Sequence, residues 1–404
     1  MANPLATLRS VIKIGRFETD PVVRRLARTA NVHDLRRIAK RRLPGGVFDY
    51  IDGGAEDERT MVGNEQAFAE ATFRPRILVG NDRVDVKTRI LGAEAALPLV
   101  LAPTGFTRIA DPQGELAVAR AAARAGVPYT LSTLGTRSIE EVRAVSDGRL
   151  WFQVYAWRDK GLVKEMIERA AAAQYEALVL TVDVAVLGRR ERDVRRGFSL
   201  PPTIGLRTFV DGALHPGWTF DFVRSEPIRF ANVVGSTIND GSTPVKLSEF
   251  VGRQYDTGLS WADLDWMRSV WDGPILVKGI QCVDDAVIAA DRGAAGVVIS
   301  NHGGRQLEGA PTTFPLIAPV ADAVGDRLEV LVDGGVRRGS DIVKAVAAGA
   351  TAVMAGRAYL YGLGAAGERG VDQVLNWFKG DVWRTLHLIG APGIEALDRS
   401  FLAD

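Results

Sequence analysis

Eight times along this chain a short apolar run, rich in β-branched residues, gives way to a polar or glycine-containing junction and then to a helical stretch. The runs lie at 97–103, 129–133, 151–155, 177–183, 274–279, 296–300, 328–333 and 352–356. They are continuously apolar rather than alternating, the pattern of strands buried on both faces. Helical spacing follows at 114–125, 138–145, 160–173, 283–291, 313–324 and 340–348. Repeated strand-then-helix units of this kind predict the α/β class, and a (β/α)8 TIM barrel rather than an open doubly wound sheet. The rhythm breaks once, after the fourth strand, so residues 197–260 form a long loop or lid. Residues 31–404 are then a single barrel domain.

The remainder of the chain narrows the function. With 404 residues, 25% charged and a formal net charge of +1, nothing calls for a nucleic-acid partner. A single cysteine, Cys282, excludes disulfide frameworks and cysteine-rich metal sites, and no metal is expected. No apolar run is long enough to span a bilayer and the first residues lack a signal-peptide core, which reads as cytoplasmic. Residues 1–30 form a basic arm carrying Arg9, Lys13, Arg16, Arg24, Arg25 and Arg28. Such an arm can dock on anionic lipid, but a solvated face or mobile tail is the preferred reading. From Asn31 the apolar positions Val32, Leu35, Ile38 and Ala39 make a helix ending at Leu43-Pro44, an N-terminal helical extension. Tyr50 follows, just before a double glycine; it is a core or lid aromatic unless its hydroxyl faces a site.

In a barrel the C-terminal strand ends converge on one mouth. Here they carry Gly105, Ser132, Gln153 with Tyr155, Thr181 with Asp183, Lys278, Ser300 with His302, Asp333, and Gly356 with Arg357. Any one of these is compatible with a paired structural charge, and an isolated SNHGGR with a surface loop; so many on one face indicate a site. Asp333-Gly334-Gly335-Val336-Arg337 and Gly356-Arg357 follow strands seven and eight, the usual phosphate position of this fold. A phosphate-bearing substrate or a phosphate-bearing cofactor would satisfy them. The small residues Pro103, Thr104, Ser132 and Thr133 suit a flat ring across the mouth, with Lys278 as a cation beside it.

Taken in order, FDYIDGGAEDE, FRPRIL, APTG, LST, WFQVY, TVD with LGRRERD, ILVKG, SNHGGRQL, DGGVRRGSDIVKA and GRAYLYGL resemble the FMN-dependent (S)-2-hydroxy acid oxidase and dehydrogenase family. That family includes glycolate oxidase, the flavin lactate dehydrogenases and oxidases, and mandelate dehydrogenase; the match runs from about Val32 to Leu402. The resemblance implies FMN held by Pro103, Thr104, Gly105, Ser132, Gln153, Thr181, Lys278 and Ser300, with its phosphate on Asp333, Gly334, Gly335, Arg337, Gly356 and Arg357. It implies a 2-hydroxy acid whose carboxylate sits on Arg190 and Arg305, helped by Tyr50 and Tyr155. His302 would be the base and Asp183 the partner stabilising its imidazolium, with Arg305 and Tyr155 completing the catalytic set. It also implies a homotetramer.

Departures bear on the substrate. Glycolate oxidases of the family carry a Trp where Leu134 stands, so a roomier pocket and a lactate- or mandelate-like substrate are expected. Gly105 replaces an alanine frequent in the oxidases, and oxygen, a quinone or a cytochrome all stay open as electron acceptor. TVDVAVLGRRERD and DGALHPGWTFDFVRSEPIRFAN look most like mandelate dehydrogenase; APTGFTRI and RAYLYGL look equally like bacterial lactate dehydrogenases. Within the lid, Trp218, Phe220, Phe222, Val223, Ile228 and Phe230 are interleaved with Arg224 and Arg229. Two readings weigh equally there: peripheral contact with the inner face of the membrane, or packing on the barrel or a neighbouring subunit. Of the rivals, a flavin-free phosphate-substrate barrel has no need of Lys278 or SNHGGR. A nucleotide dehydrogenase would want a cysteine in a mouth loop, whereas Cys282 opens a helix. A non-catalytic flavin-binding barrel is left for experiment to separate.

Overall fold

The computed structural model describes residues 18–196, 205–233 and 252–403. Residues 1–17 of the arm, and 197–204 and 234–251 of the lid, lie outside the described residues. Helices α1 (Pro21–Leu26), α2 (Val32–Arg42), α3 (Gly45–Asp52) and α4 (Arg59–Glu70) precede a hairpin of β1 (Thr88–Ile90) and β2 (Ala93–Ala95). Then come β3 (Leu99–Leu101), α5 (Gly114–Ala125), β4 (Tyr129–Ser132), α6 (Ile139–Ala144), β5 (Leu150–Tyr155), α7 (Lys160–Ala172) and β6 (Ala177–Thr181). α8 (Glu191–Arg196) leads into the lid, the lid contributes α9 (Leu206–Leu214) and α10 (Pro216–Arg224), and α11 (Trp261–Arg268) returns the chain to the barrel. The second half is β7 (Ile275–Ile280), α12 (Val283–Asp291), β8 (Gly296–Ile299), α13 (Ile317–Val324), β9 (Glu329–Val332), α14 (Gly339–Ala347) and β10 (Ala352–Ala355). Helices α15 (Arg357–Ala366) and α16 (Glu368–Ile389) complete it.

β3 to β10 pair in parallel and β10 returns to β3, closing an eight-stranded barrel. The continuous apolar runs explain the closure. Val100, Trp151, Val179, Leu276, Val298, Leu331 and Met354 fill the interior as one buried cluster, while their neighbours face the helical ring. Ile90 and Ala95 of the hairpin join that interior cluster, so the hairpin plugs the end opposite the mouth. Truncating a fully buried side chain of Trp151's size costs about 3–5 kcal/mol.

Two expectations change in detail. The described end of the basic arm is docked, not a free tail: Asp20 caps α1, and Arg25 donates to the Ala365 carbonyl at 2.7 Å. The lid is partly helical and it divides the two readings of its aromatics. Trp218 donates its indole N–H to the Ile109 carbonyl at 2.7 Å, and Phe230 is buried with its ring 5.7 Å from Phe106. Those two pack on the barrel. Phe209, Leu214, Phe220 and Val223 remain more than half exposed on α9 and α10.

Candidate active site

His302 sits just beyond β8 with φ of 59°, a left-handed conformation that costs a non-glycine residue free energy and is common at functional sites. Asn301 beside it is locked by reciprocal amide bonds with Asn64 of α4, at 2.8 and 2.9 Å. Ser300 Oγ accepts from the His302 backbone N–H at 3.0 Å. So held, His302 Nδ1 lies 2.9 Å from Oδ1 of Asp183, which follows β6. A neutral imidazole donating from Nδ1 leaves Nε2 as an acceptor, and His302 lines the cavity. Burial opposes ionisation of Asp183, but the imidazole and then the Lys278 ammonium outweigh it and hold the carboxyl below its ordinary value. Asp183 gets this close because β7 bulges at Gly279, where φ is +119°. A Cβ there would stand 2.8 Å from the Asp183 Cβ.

Two guanidinium groups share the wall with His302. Arg305 donates to the carbonyls of Tyr50 and Gly53, at 2.8 and 2.9 Å. Burial, then repulsion by Arg190 and Arg357, brings it down to about 9, still charged at neutral pH. Arg190 stacks over the Tyr50 ring at 5.1 Å and Arg305 over the same ring at 5.3 Å. Tyr155 is buried beside Tyr255, ring centroids 5.5 Å apart, and burial pushes its hydroxyl well above the usual tyrosine value, so it stays a neutral donor.

These residues open on one cavity of about 540 Å³, within the range of cofactor sites. Pro103, Thr104, Gly105, Ser132, Gln153, Thr181, Lys278, Asp333, Gly334, Gly335, Arg337, Gly356 and Arg357 also line it. Ser300 and Asp183 do not; they act from behind, Ser300 accepting from Lys278 Nζ at 2.6 Å. The donor set fits a flavin. Gln153 has its carboxamide oxygen fixed by Ser132 Oγ and the Thr133 N–H, at 3.0 and 3.2 Å. Its Nε2 and the Thr181 hydroxyl are buried with no hydrogen-bond partner among the described residues. Buried polar atoms without partners are costly, and a ring bearing carbonyl and N–H groups would satisfy both. Lys278 pairs with Asp333 at 2.7 Å, whose other oxygen is also unpartnered. Burial disfavours the Lys278 charge, but Asp333 and Asp183 outweigh it and raise its pKa, so a fixed cation stands in the cavity wall. Beyond β9, Gly335 adopts φ of +96° and a Cβ would meet the Asn64 carbonyl oxygen at 2.4 Å, so only glycine fits. Arg337 reaches Glu65 at 2.7 Å, and Arg357 donates to the carbonyls of Ile51, Gly53 and Gly303.

Several wall residues had no forewarning in the sequence reading. Tyr255 lies at the far end of the lid, outside any periodic run. Phe106, Val184, Leu187 and Phe230 add apolar surface to the lining, as Leu134 does. Asp193 also lines the cavity, 3.3 Å from Arg190 Nε; its three-residue spacing from Arg190 on one helical turn was the available signal.

The comparisons with known proteins agree with this geometry. A family model described as FMN-dependent dehydrogenase matches residues 39–404. A putative L-lactate dehydrogenase of Mycobacterium tuberculosis is 45% identical over 391 residues, covering 96% of this chain and 93% of the relative. The (S)-mandelate dehydrogenase of Pseudomonas putida is 43% identical over 372 residues, covering 92% and 93%. Among solved structures, the monotopic membrane protein (S)-mandelate dehydrogenase superposes with a TM-score of 0.90 at 42% identity, covering 93% of this chain and 99% of that one.

Proposed function

The chain belongs to the FMN-dependent dehydrogenase family and is a 2-hydroxy acid oxidoreductase that uses FMN, and on that premise we propose that it oxidises a lactate- or mandelate-like (S)-2-hydroxy acid to the 2-oxo acid. One observation carries the proposal: His302, paired with Asp183 behind it at 2.9 Å, faces the same cavity as two guanidinium groups. Arg190 and Arg305 hold the substrate carboxylate, for which planar guanidinium donors are suited, and Tyr50 closes over it. Tyr155 donates to a substrate oxygen. His302 accepts one proton at Nε2, and Asp183 stabilises the imidazolium that results. FMN, when bound, supplies the acceptor for the two electrons and the other proton that leave the substrate. Lys278 offsets negative charge that develops on the ring side.

The apolar lining residues Phe106, Leu134, Val184, Leu187 and Phe230 support a substrate side chain larger than hydrogen, up to a phenyl ring. The direct test is anaerobic. The yellow protein bleaches on adding L-lactate or (S)-mandelate and not with the opposite enantiomers, and reoxidation by oxygen against a quinone analogue then identifies the acceptor class. Persistent yellow with every 2-hydroxy acid tried would favour the non-catalytic flavin-binding barrel.

Peripheral membrane contact through α9 and α10 is part of the same reading. Among the described residues no helix is long and apolar enough to cross a membrane. Phe209, Leu214, Phe220 and Val223 are exposed nonetheless, and Arg224 lies 4.2 Å over the Phe220 ring. Flotation with anionic vesicles checks it: replacing Phe220 and Val223 by Ser should abolish co-flotation, and unchanged flotation would remove these helices from the contact.

A further inference from the structure

We propose that Asp193 is the internal counter-anion of the active site, a fixed carboxylate that balances Arg190 and Arg305 and thereby limits how tightly any substrate or product carboxylate is held. The inference rests on the reading above, in which those two guanidinium groups receive the substrate carboxylate. Asp193 lies on α8 and lines the same cavity as both. Its Oδ2 is 3.3 Å from Arg190 Nε, an ion pair without a directional hydrogen bond. Its Oδ1 is buried and has no partner among the described residues. A carboxylate serving as a mechanical anchor would make directional hydrogen bonds; this one acts through its charge. That charge also reaches Arg305, where it opposes the repulsion from Arg190 and Arg357. Burial raises the Asp193 pKa above its ordinary value, and Arg190 and then Arg305 offset only part of that rise.

The balance has a consequence for turnover. Arg190, Arg305 and Asp193 together carry one positive charge, which a single bound carboxylate neutralises. Without Asp193 the same two cations would face that carboxylate unopposed, and the 2-oxo acid product would leave more slowly. Asp193 is therefore a positioning residue of charge rather than a catalytic one: it sets binding strength through the arginines and touches no reacting atom.

The test uses the FMN-loaded enzyme and follows the flavin spectrum while titrating pyruvate, phenylglyoxylate and the uncharged pyruvamide. Asp193→Asn should bind both acids about tenfold more tightly, the scale of one unit charge acting over several ångströms at intermediate dielectric. Pyruvamide should shift by less than about twofold, since an uncharged ligand feels the missing charge weakly. Asp193→Glu should restore wild-type binding, and steady-state kinetics of the Asn variant should show KM and kcat falling together as product release becomes limiting. Asp193→Ser provides the second variant should Asn fail to retain FMN. Weaker or unchanged binding of the acids overturns the proposal, as does an equal shift for acid and amide, which marks a structural change. A wild type silent to both acids refutes the functional reading itself, and the counter-anion with it.

Discussion

Asp183→Asn isolates the electrostatic half of the proton acceptor while preserving its shape. The Asp183 side chain is 2% exposed and its Oδ1 meets His302 Nδ1 at 2.9 Å, so the bond removed is buried and charge-assisted. Such bonds contribute about 1.5–3 kcal/mol, which is roughly 10- to 150-fold in rate if the whole term acts on the transition state. The tautomer adds to this. An Asn side chain can donate to Nδ1, which places the imidazole proton on Nε2, facing the substrate, where an acceptor is needed. The loss then moves toward the full acid–base contribution of about 10²–10⁴. Anaerobic stopped-flow measurement of flavin bleaching reads this directly. FMN content should be unchanged because Asp183 does not line the cavity, and substrate affinity should change little because Arg190 and Arg305 are untouched. A fully FMN-loaded variant that bleaches within about threefold of the wild-type rate would refute the assignment of His302 and Asp183 as a working pair, since the proton-acceptor term is about 10²-fold at least.

Leu134→Trp should crowd the apolar lining and lower kcat/KM for (S)-mandelate by at least about 100-fold while sparing L-lactate, since even small misfits in an apolar pocket discriminate by tens to hundreds; an unchanged ratio of the two specificities removes Leu134 from the selecting wall. Asp52 gives a pH prediction. It is 1% exposed and, although burial opposes ionisation, bonds from Arg36, Tyr361 and Arg192 hold its carboxyl at about 2 against an ordinary 3.8. A depressed carboxyl stabilises the fold fully above its unfolded value and loses that contribution as pH falls toward its folded value, here between about pH 4 and 2. The shift corresponds to about 2 kcal/mol. Urea unfolding should therefore show Asp52→Asn less stable by about that amount at neutral pH, with the gap to wild type roughly halved near pH 3; a gap independent of pH would contradict the linkage.

The barrel was legible because two-sided burial leaves a signal every strand repeats, and the strand ends because polar residues interrupt those runs at one register. What the sequence pattern hid is set by closure in three dimensions. His302 and Asp183 are separated by 119 positions, and only the neighbouring placement of β6, β7 and β8 brings them together. The hairpin β1–β2 is three residues a strand, too short for a period to show. Helix α3 opens on two glycines behind a proline, and α4 starts after Glu58 in a left-handed conformation with no side-chain cap, so neither begins with an ordinary helix signal.

That hidden segment carries more of the chemistry than its place outside the barrel suggests. Arg305 and Arg357 are both half-buried, and removal from water is the first cause of their lowered basicity. Their N–H groups point at the carbonyls of Tyr50, Ile51 and Gly53. These carbonyls lie at the C-terminal end of α3, where the backbone offers unpaired acceptors and a partial negative charge. A buried guanidinium is tolerated only when its donors are satisfied. Asp52, in the same turn, ties Arg192 of α8 and Tyr361 of α15 at 2.8 Å each. One helix end thus solvates Arg305 and Arg357, and is pinned to the helix that carries Asp193. The barrel supplies the His302–Asp183 pair and most of the cavity wall, and the N-terminal extension supplies the acceptors that let Arg305 and Arg357 stand beside it.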